Sequence, residues 1–112
     1  MINFETSVAN SGATILKATG RLDMVAAPQF KDLVVAAVSA DKTPVVIDLS
    51  GVDFMDSSGL GALISGLRAT RQTGSDLRIA GATSQVLSVL KMTNIDRILP
   101  PYPDVAEALR GG

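Results

Sequence analysis

An apolar run that leads into a helix-start signal is the feature that most constrains the fold of this chain. Residues 45–49 are mostly aliphatic and β-branched, which is typical of a strand covered on both faces. A few residues later, Asp56-Ser57-Ser58-Gly59 offers short polar side chains that suit a helix cap. Apolar residues then recur at helical spacing over residues 57–72. A covered strand followed by a helix predicts a sheet with parallel strands and helices packed against it.

Strand and helix patterns alternate along the rest of the sequence. Strands are predicted at 2–8, 13–19, 76–80 and 95–99, and helices at about 28–40, 85–92 and 104–109. Gly66, inside the helix at 57–72, is expected to let that helix pack closely against a neighbour. The order ββαβαβαβα predicts an α/β fold: a single domain over residues 1–112, with a mixed β-sheet and the strand at 45–49 near its centre.

Charge and composition narrow the class of function. The 112 residues include 10 basic and 11 acidic side chains, and no basic run appears anywhere. Only 4% of the residues are aromatic, so base stacking is nearly unavailable and direct nucleic-acid binding is not expected. No apolar run approaches the ~20 residues that a membrane span requires, and the N-terminus shows no signal-peptide pattern. We therefore expect a cytoplasmic protein that binds another protein and does not insert into a membrane.

Residue types that carry catalysis are scarce. The sequence contains neither His nor Cys, which excludes a Ser-His-Asp triad, a thiol nucleophile and a zinc site with His or Cys ligands. Asp23, Asp53 and Asp56 could be imagined as ligands of a hard cation. Helix caps or surface carboxylates are the simpler interpretation of these residues, and recognition of a partner is a third. We expect neither enzymatic activity nor a metal site.

The turn around Ser57 allows two interpretations. As a cap, the side chain of Asp56 or Ser57 accepts a hydrogen bond from an unpaired N–H group of the first helical turn. As a modification site, Ser57 would place an added phosphate near those amides and the positive end of the helix dipole, while Asp56 repels it. Capping and phosphorylation are not exclusive, so the residues alone leave both open.

Several motifs together resemble one protein family. They are Thr19-Gly20-Arg21-Leu22-Asp23, the strand at 45–49, Phe54-Met55-Asp56-Ser57-Ser58-Gly59-Leu60-Gly61, Gly74, and Met92-Thr93-Asn94-Ile95. On these motifs the chain is similar, nearly end to end, to the STAS domain of the anti-sigma factor antagonist family, whose members regulate bacterial transcription. One stretch departs from the family, since residues 22–26 are more apolar than the polar sequence often found there.

The resemblance implies a mechanism of partner switching. The family's phosphoacceptor is the residue after the motif's Asp, which is Ser57 here, and Ser58 is its neighbour. Such a domain, when unphosphorylated, binds an anti-sigma factor that is also a serine kinase and so frees the sigma factor. Phosphorylation of Ser57 would end that binding until a serine/threonine phosphatase resets it. The partner-binding residues expected on this basis are Asp23, Met24, Asp56, Ser57, Ser58 and Gly59.

The same resemblance bears on cofactors and on alternative functions. The nucleotide and Mg²⁺ of the family's reaction belong to the kinase, so no cofactor is expected on this chain. Small STAS domains also serve as subunits of lipid-transport ATPase complexes, and a STAS subunit that is not phosphorylated is the alternative function. A third interpretation, an enzyme with Ser57 as its nucleophile, lacks a base that would activate the serine.

Overall fold

The strands and helices follow one another in the expected order ββαβαβαβα. A computed structural model describes residues 2–40 and 43–111. The strands are Asn3–Val8 (β1), Thr14–Leu22 (β2), Val45–Met55 (β3), Leu77–Ala80 (β4) and Pro101–Tyr102 (β5). The α-helices are Ala27–Ala40 (α1), Ser57–Thr73 (α2), Ser84–Met92 (α3) and Val105–Leu109 (α4), and a 3-10 helix spans Ile95–Arg97. Within the described ranges, no helix has the length and apolar character that crossing a membrane demands.

The five strands form one mixed sheet in the order β1-β2-β3-β4-β5. β1 and β2 are antiparallel, as expected of a hairpin, whereas the pairs β2–β3, β3–β4 and β4–β5 are parallel. β3 therefore lies at the centre of the sheet, which confirms the position predicted from its apolar sequence.

The two faces of the sheet are covered by different helices, because successive side chains of a strand point to opposite faces. Val45, Ile47 and Leu49 of β3 belong to the main core, which they share with residues of α1, α2 and α3. On the opposite face, Val46 packs with Ala108 of α4 in a smaller cluster. The main core is aliphatic apart from Phe30 and its stacked neighbour Phe4, whose ring centroids lie 5.7 Å apart.

Residues 95–99, predicted as the last strand, form a helical turn instead. Asn94 enters it with a left-handed backbone (φ 60°), and the 3-10 helix follows at once. The Leu99 N–H donates to the Ile95 carbonyl oxygen at 2.8 Å, so these apolar residues lie on one side of a turn. The prediction was wrong because over so few residues a spacing of four fits both a strand and a helix. The last strand comes later and is short, since proline provides no N–H group for a sheet.

β3 is longer than its apolar run. It continues to Met55 because it stays paired with β2, whose last residue, Leu22, lies opposite Met55. Both residues are buried in the main core. β2 and β3 therefore end at the same level, and the loops that follow them leave the carboxyl edge of the sheet side by side.

Two glycines of α2 have opposite surroundings. A Cβ atom at Gly66 would overlap Cγ1 of Val34 on α1 and lie 3.3 Å from Cδ2 of Leu77. Gly66 thus permits the close packing of α1 and α2, as the sequence predicted. At Gly61 a Cβ atom would meet nothing within 4 Å. Within the described residues, packing therefore requires Gly66 and not Gly61.

Alanine at these two positions should therefore change stability in opposite directions. Gly66→Ala should lower the free energy of unfolding by about 1–3 kcal/mol, because Val34 is fully buried and stiff at χ1. Gly61→Ala, the matched control in the same helix, should raise it by about 0.5–1 kcal/mol through helix propensity. Urea unfolding followed by circular dichroism measures both values. A Gly66→Ala variant as stable as Gly61→Ala would contradict the packing role of Gly66.

Candidate functional site

The carboxylate of Asp56 caps helix α2. Its Oδ1 atom accepts hydrogen bonds from the backbone N–H groups of Ser58 at 2.9 Å and Gly59 at 3.1 Å. The Asp56 backbone is extended (φ −106°, ψ −173°), as a cap residue requires. Of the two residues that could cap the helix according to the sequence, Asp56 is the one that does so.

Ser57 and Ser58 differ in their exposure. Ser57 is the first residue of α2 and is exposed, whereas Ser58 is half-buried. Because Asp56 supplies the cap, the hydroxyl of Ser57 is not needed to hold the helix start. Of the two hydroxyl-bearing residues in the turn, Ser57 is therefore the more open to another macromolecule.

The start of α2 is held tightly against the end of β2. Gly59 is buried, and a Cβ atom there would overlap the carbonyl oxygen of Leu22. The N–H group of Asp56 donates to the same oxygen at 3.3 Å. Gly59 thus allows the first turn of α2 to lie directly on the sheet edge. The structure gives Gly59 this internal role, and its contact with a partner stays a prediction.

Asp23 organises the loop between β2 and α1. Its Oδ1 atom accepts hydrogen bonds from the N–H groups of Val25 at 3.1 Å and Ala26 at 3.2 Å. Its Oδ2 atom lies 3.8 Å from Nε of Arg21, whose guanidinium carbon sits 4.3 Å from the ring centroid of Phe54. Asp23 therefore orders its own loop, and whether it also contacts a partner stays a prediction.

The ordered loop holds two apolar side chains in solvent. Met24 is 73% exposed and Val25 is 85% exposed, while Ala26 next to them is buried in the main core. Large contiguous patches of exposed apolar side chains mark contact surfaces for other proteins, and these two neighbouring side chains would contribute to such a patch. The contact of Met24 with a partner, expected from the sequence, stays a prediction.

A groove between α1 and α2 opens beside this loop. Its volume is about 430 Å³, and its walls include Met24, Pro28 and Lys31 on one side and Ser58, Gly61 and Ser65 on the other. The sequence alone did not identify Val25, Lys31 and Ser65 as residues of this surface. Helical periodicity places Lys31 and Ser65 on their own helices, but only the packing of α1 against α2 brings them to the same groove.

The predicted site residues thus come together at one edge of the sheet. Asp23 and Met24 lie in the loop after β2, and residues 56–59 lie after the paired strand β3. The predicted capping role of Asp56 is confirmed. In residues 2–40 and 43–111, no group of three or more acidic side chains is arranged to hold a metal ion. Chemically, the site offers an exposed serine hydroxyl, exposed apolar side chains and an adjacent groove.

Comparisons with known proteins place this arrangement in a family. The sequence profile of the STAS domain matches residues 6–108. The anti-sigma-F factor antagonist RsfA of Mycobacterium tuberculosis is 27% identical, over 96% of this chain and 92% of that protein. The anti-sigma-B factor antagonist of Staphylococcus epidermidis is 26% identical, over 88% and 90%.

Among solved structures, an anti-sigma factor antagonist from Mycobacterium paratuberculosis superposes on this fold with a TM-score of 0.87. It is 27% identical, and the match covers 99% of this chain and 93% of that one. The profile match extends over the sheet, the helices and the turn that carries Ser57. The chain therefore belongs to the STAS domain family, and the relatives described here are anti-sigma factor antagonists.

Proposed function

We propose that this protein is an anti-sigma factor antagonist that binds an anti-sigma factor with serine kinase activity and is released when Ser57 is phosphorylated. The observation that carries the proposal is the placement of Ser57. It is exposed on the first turn of α2, beside a cap that Asp56 provides without it. The names of the relatives support the antagonist role. The kinase activity of the partner and the phosphorylation of Ser57 go beyond those names and are proposed here.

The proposed release works by charge. A phosphoserine carries roughly −1.5 to −2 charges at pH 7, and here it would stand next to the carboxylate of Asp56. In the free protein, water solvates a phosphate at an exposed position such as Ser57. A partner that covers Ser57 would have to strip that water, and doing so without a matching cation costs several kcal/mol. Binding is then lost while the fold is kept.

The fold supports a change that stays local. Hydrogen bonds from Ser58 and Gly59 to Asp56 hold the helix start, and the contact between Gly59 and Leu22 seats it on the sheet. None of these interactions uses the Ser57 hydroxyl. The phosphate at Ser57 would be removed by a serine/threonine phosphatase, and the cycle would run in the cytoplasm. This chain acts in the proposal as a binding protein and as a kinase substrate, not as an enzyme.

Phosphorylation should occur at Ser57 and depend on that residue alone. The protein is incubated with ATP, Mg²⁺ and, one at a time, the purified anti-sigma factor kinases encoded in the same genome. Mass spectrometry of the fragment spanning Asp53 to Arg68 then locates the phosphate. We expect it on Ser57, with incorporation abolished in Ser57→Ala and retained in Ser58→Ala.

Two results would contradict this assignment. Phosphate on Ser58 in the unsubstituted protein would move the acceptor by one residue. An unmodified fragment with every kinase, and in protein isolated from its own cells, would favour the alternative of a STAS subunit in a lipid-transport ATPase complex.

A negative charge at position 57 should weaken binding without unfolding the protein. Ser57→Asp should lower the affinity for the anti-sigma factor at least tenfold, which corresponds to about 1.4 kcal/mol. Ser57→Asn, which has nearly the same size but no charge, should bind like the unsubstituted protein. Isothermal titration calorimetry measures the affinities, and circular dichroism should give the same helix content for both variants. Equal affinities of the Asp and Asn variants would contradict release by charge.

A further inference from the structure

Gly61 is a costly residue whose presence nothing inside the described chain explains. It lies in the second turn of α2, where glycine is less favourable than alanine because it loses more backbone entropy. Gly59 and Gly66 in the same helix are required, since a Cβ atom would overlap Leu22 or Val34. At Gly61 a Cβ atom would point into open space and meet nothing within 4 Å. Glycine here leaves the backbone of α2 open toward the space beside it.

The open space beside Gly61 is the groove between α1 and α2. Gly61 and Ser65 belong to its α2 wall, and Lys31 is the charged side chain of its α1 wall. At the mouth of the groove lie Ser58 and the exposed side chain of Met24. The groove is thus continuous with the turn that carries Ser57, and it extends along α2 away from that turn.

We propose that this groove receives a segment of the anti-sigma factor whose main chain passes close to Gly61 and which places a carboxylate at Lys31. The inference rests on the function proposed above and adds to it the place and chemistry of the contact. A missing Cβ atom lets another backbone approach a helix more closely than any other residue allows. An amphipathic segment laid into a groove between helices is a recurrent mode of protein recognition.

The side chains that line the groove indicate which kind of segment would bind there. The exposed thioether of Met24 offers an adaptable apolar contact at the mouth, so apolar residues of the segment belong there. Lys31 is exposed on α1 at the groove, where an acidic group of the segment would be paired rather than repelled. The segment is therefore apolar where it meets Met24 and carries an acidic group where it passes Lys31.

Substitutions at Gly61 separate this contact from the stability of the fold. Gly61→Ala should raise the melting temperature by a few degrees and yet lower the affinity for the anti-sigma factor. Gly61→Leu should fold and lower the affinity at least tenfold, because its side chain fills the groove. Gln72→Leu is the matched control, since it adds the same side chain at an exposed position of α2 about three turns away. It should bind like the unsubstituted protein.

Charge reversal at Lys31 tests whether the bound segment places an acidic group at this lysine. Lys31→Glu should weaken binding more than Lys31→Gln, and the difference should shrink as salt is raised, because exposed charges are screened. Calorimetry uses the anti-sigma factor that phosphorylates or binds the unsubstituted protein. Equal affinities of the Glu and Gln variants at low salt would contradict the proposed pairing of Lys31 with a carboxylate of the anti-sigma factor.

The outcomes distinguish this inference from the proposed function. If Ser57→Asp abolishes binding while Gly61→Leu binds normally, the groove is not the docking site and the proposed function stands. If no anti-sigma factor binds the unsubstituted protein, the proposed function itself fails. A dimer of this chain, detected by analytical ultracentrifugation and lost in Gly61→Leu, would assign the groove to a second copy and overturn the inference.

Discussion

The contact between Gly59 and the carbonyl oxygen of Leu22 is the constraint on which the site depends. It brings the first turn of α2 directly onto the end of β2, because no side chain separates them. The pairing of Leu22 with Met55 sets both strands to end together, so the loops that follow are neighbours. The exposed serine, the exposed apolar loop and the groove owe their proximity to this close approach together with the strand pairing.

Two aspartates at this edge are engaged inside the protein. Asp56 accepts two backbone hydrogen bonds at the start of α2, and Asp23 accepts two in the loop before α1. Each carboxylate satisfies N–H groups that would otherwise be unpaired, as caps and short turns commonly do. Loops ordered by such hydrogen bonds present their other side chains in a defined arrangement. Ser57 and Met24 are presented in this way.

The sequence allowed the element order and the cap to be predicted, but not the groove. Hydrophobic spacing located α1, α2 and β3, since each is long enough for its period to be clear. It failed at residues 95–99, where a short apolar run fits two periods. Lys31 could not be identified from the sequence because lysine is common on exposed helix faces. Only the packing of α1 against α2 places it at the groove. The role proposed for Gly61 likewise depends on the open space beside it, and a sequence pattern does not reveal which atoms surround a residue.

If Ser57 is phosphorylated as proposed, the cap made by Asp56 has a consequence for how long each form of the protein survives in the cell. Proteases act on the transiently opened chain, so degradation follows the free energy of opening. The two hydrogen bonds that Asp56 accepts hold the helix start without the Ser57 hydroxyl, so the proposed phosphorylation would leave this cap in place and the two forms would open with similar free energies. Degradation would then not select between the two proposed forms. The ratio between the two proposed forms would then depend on synthesis and on the modifying enzymes, and not on selective degradation.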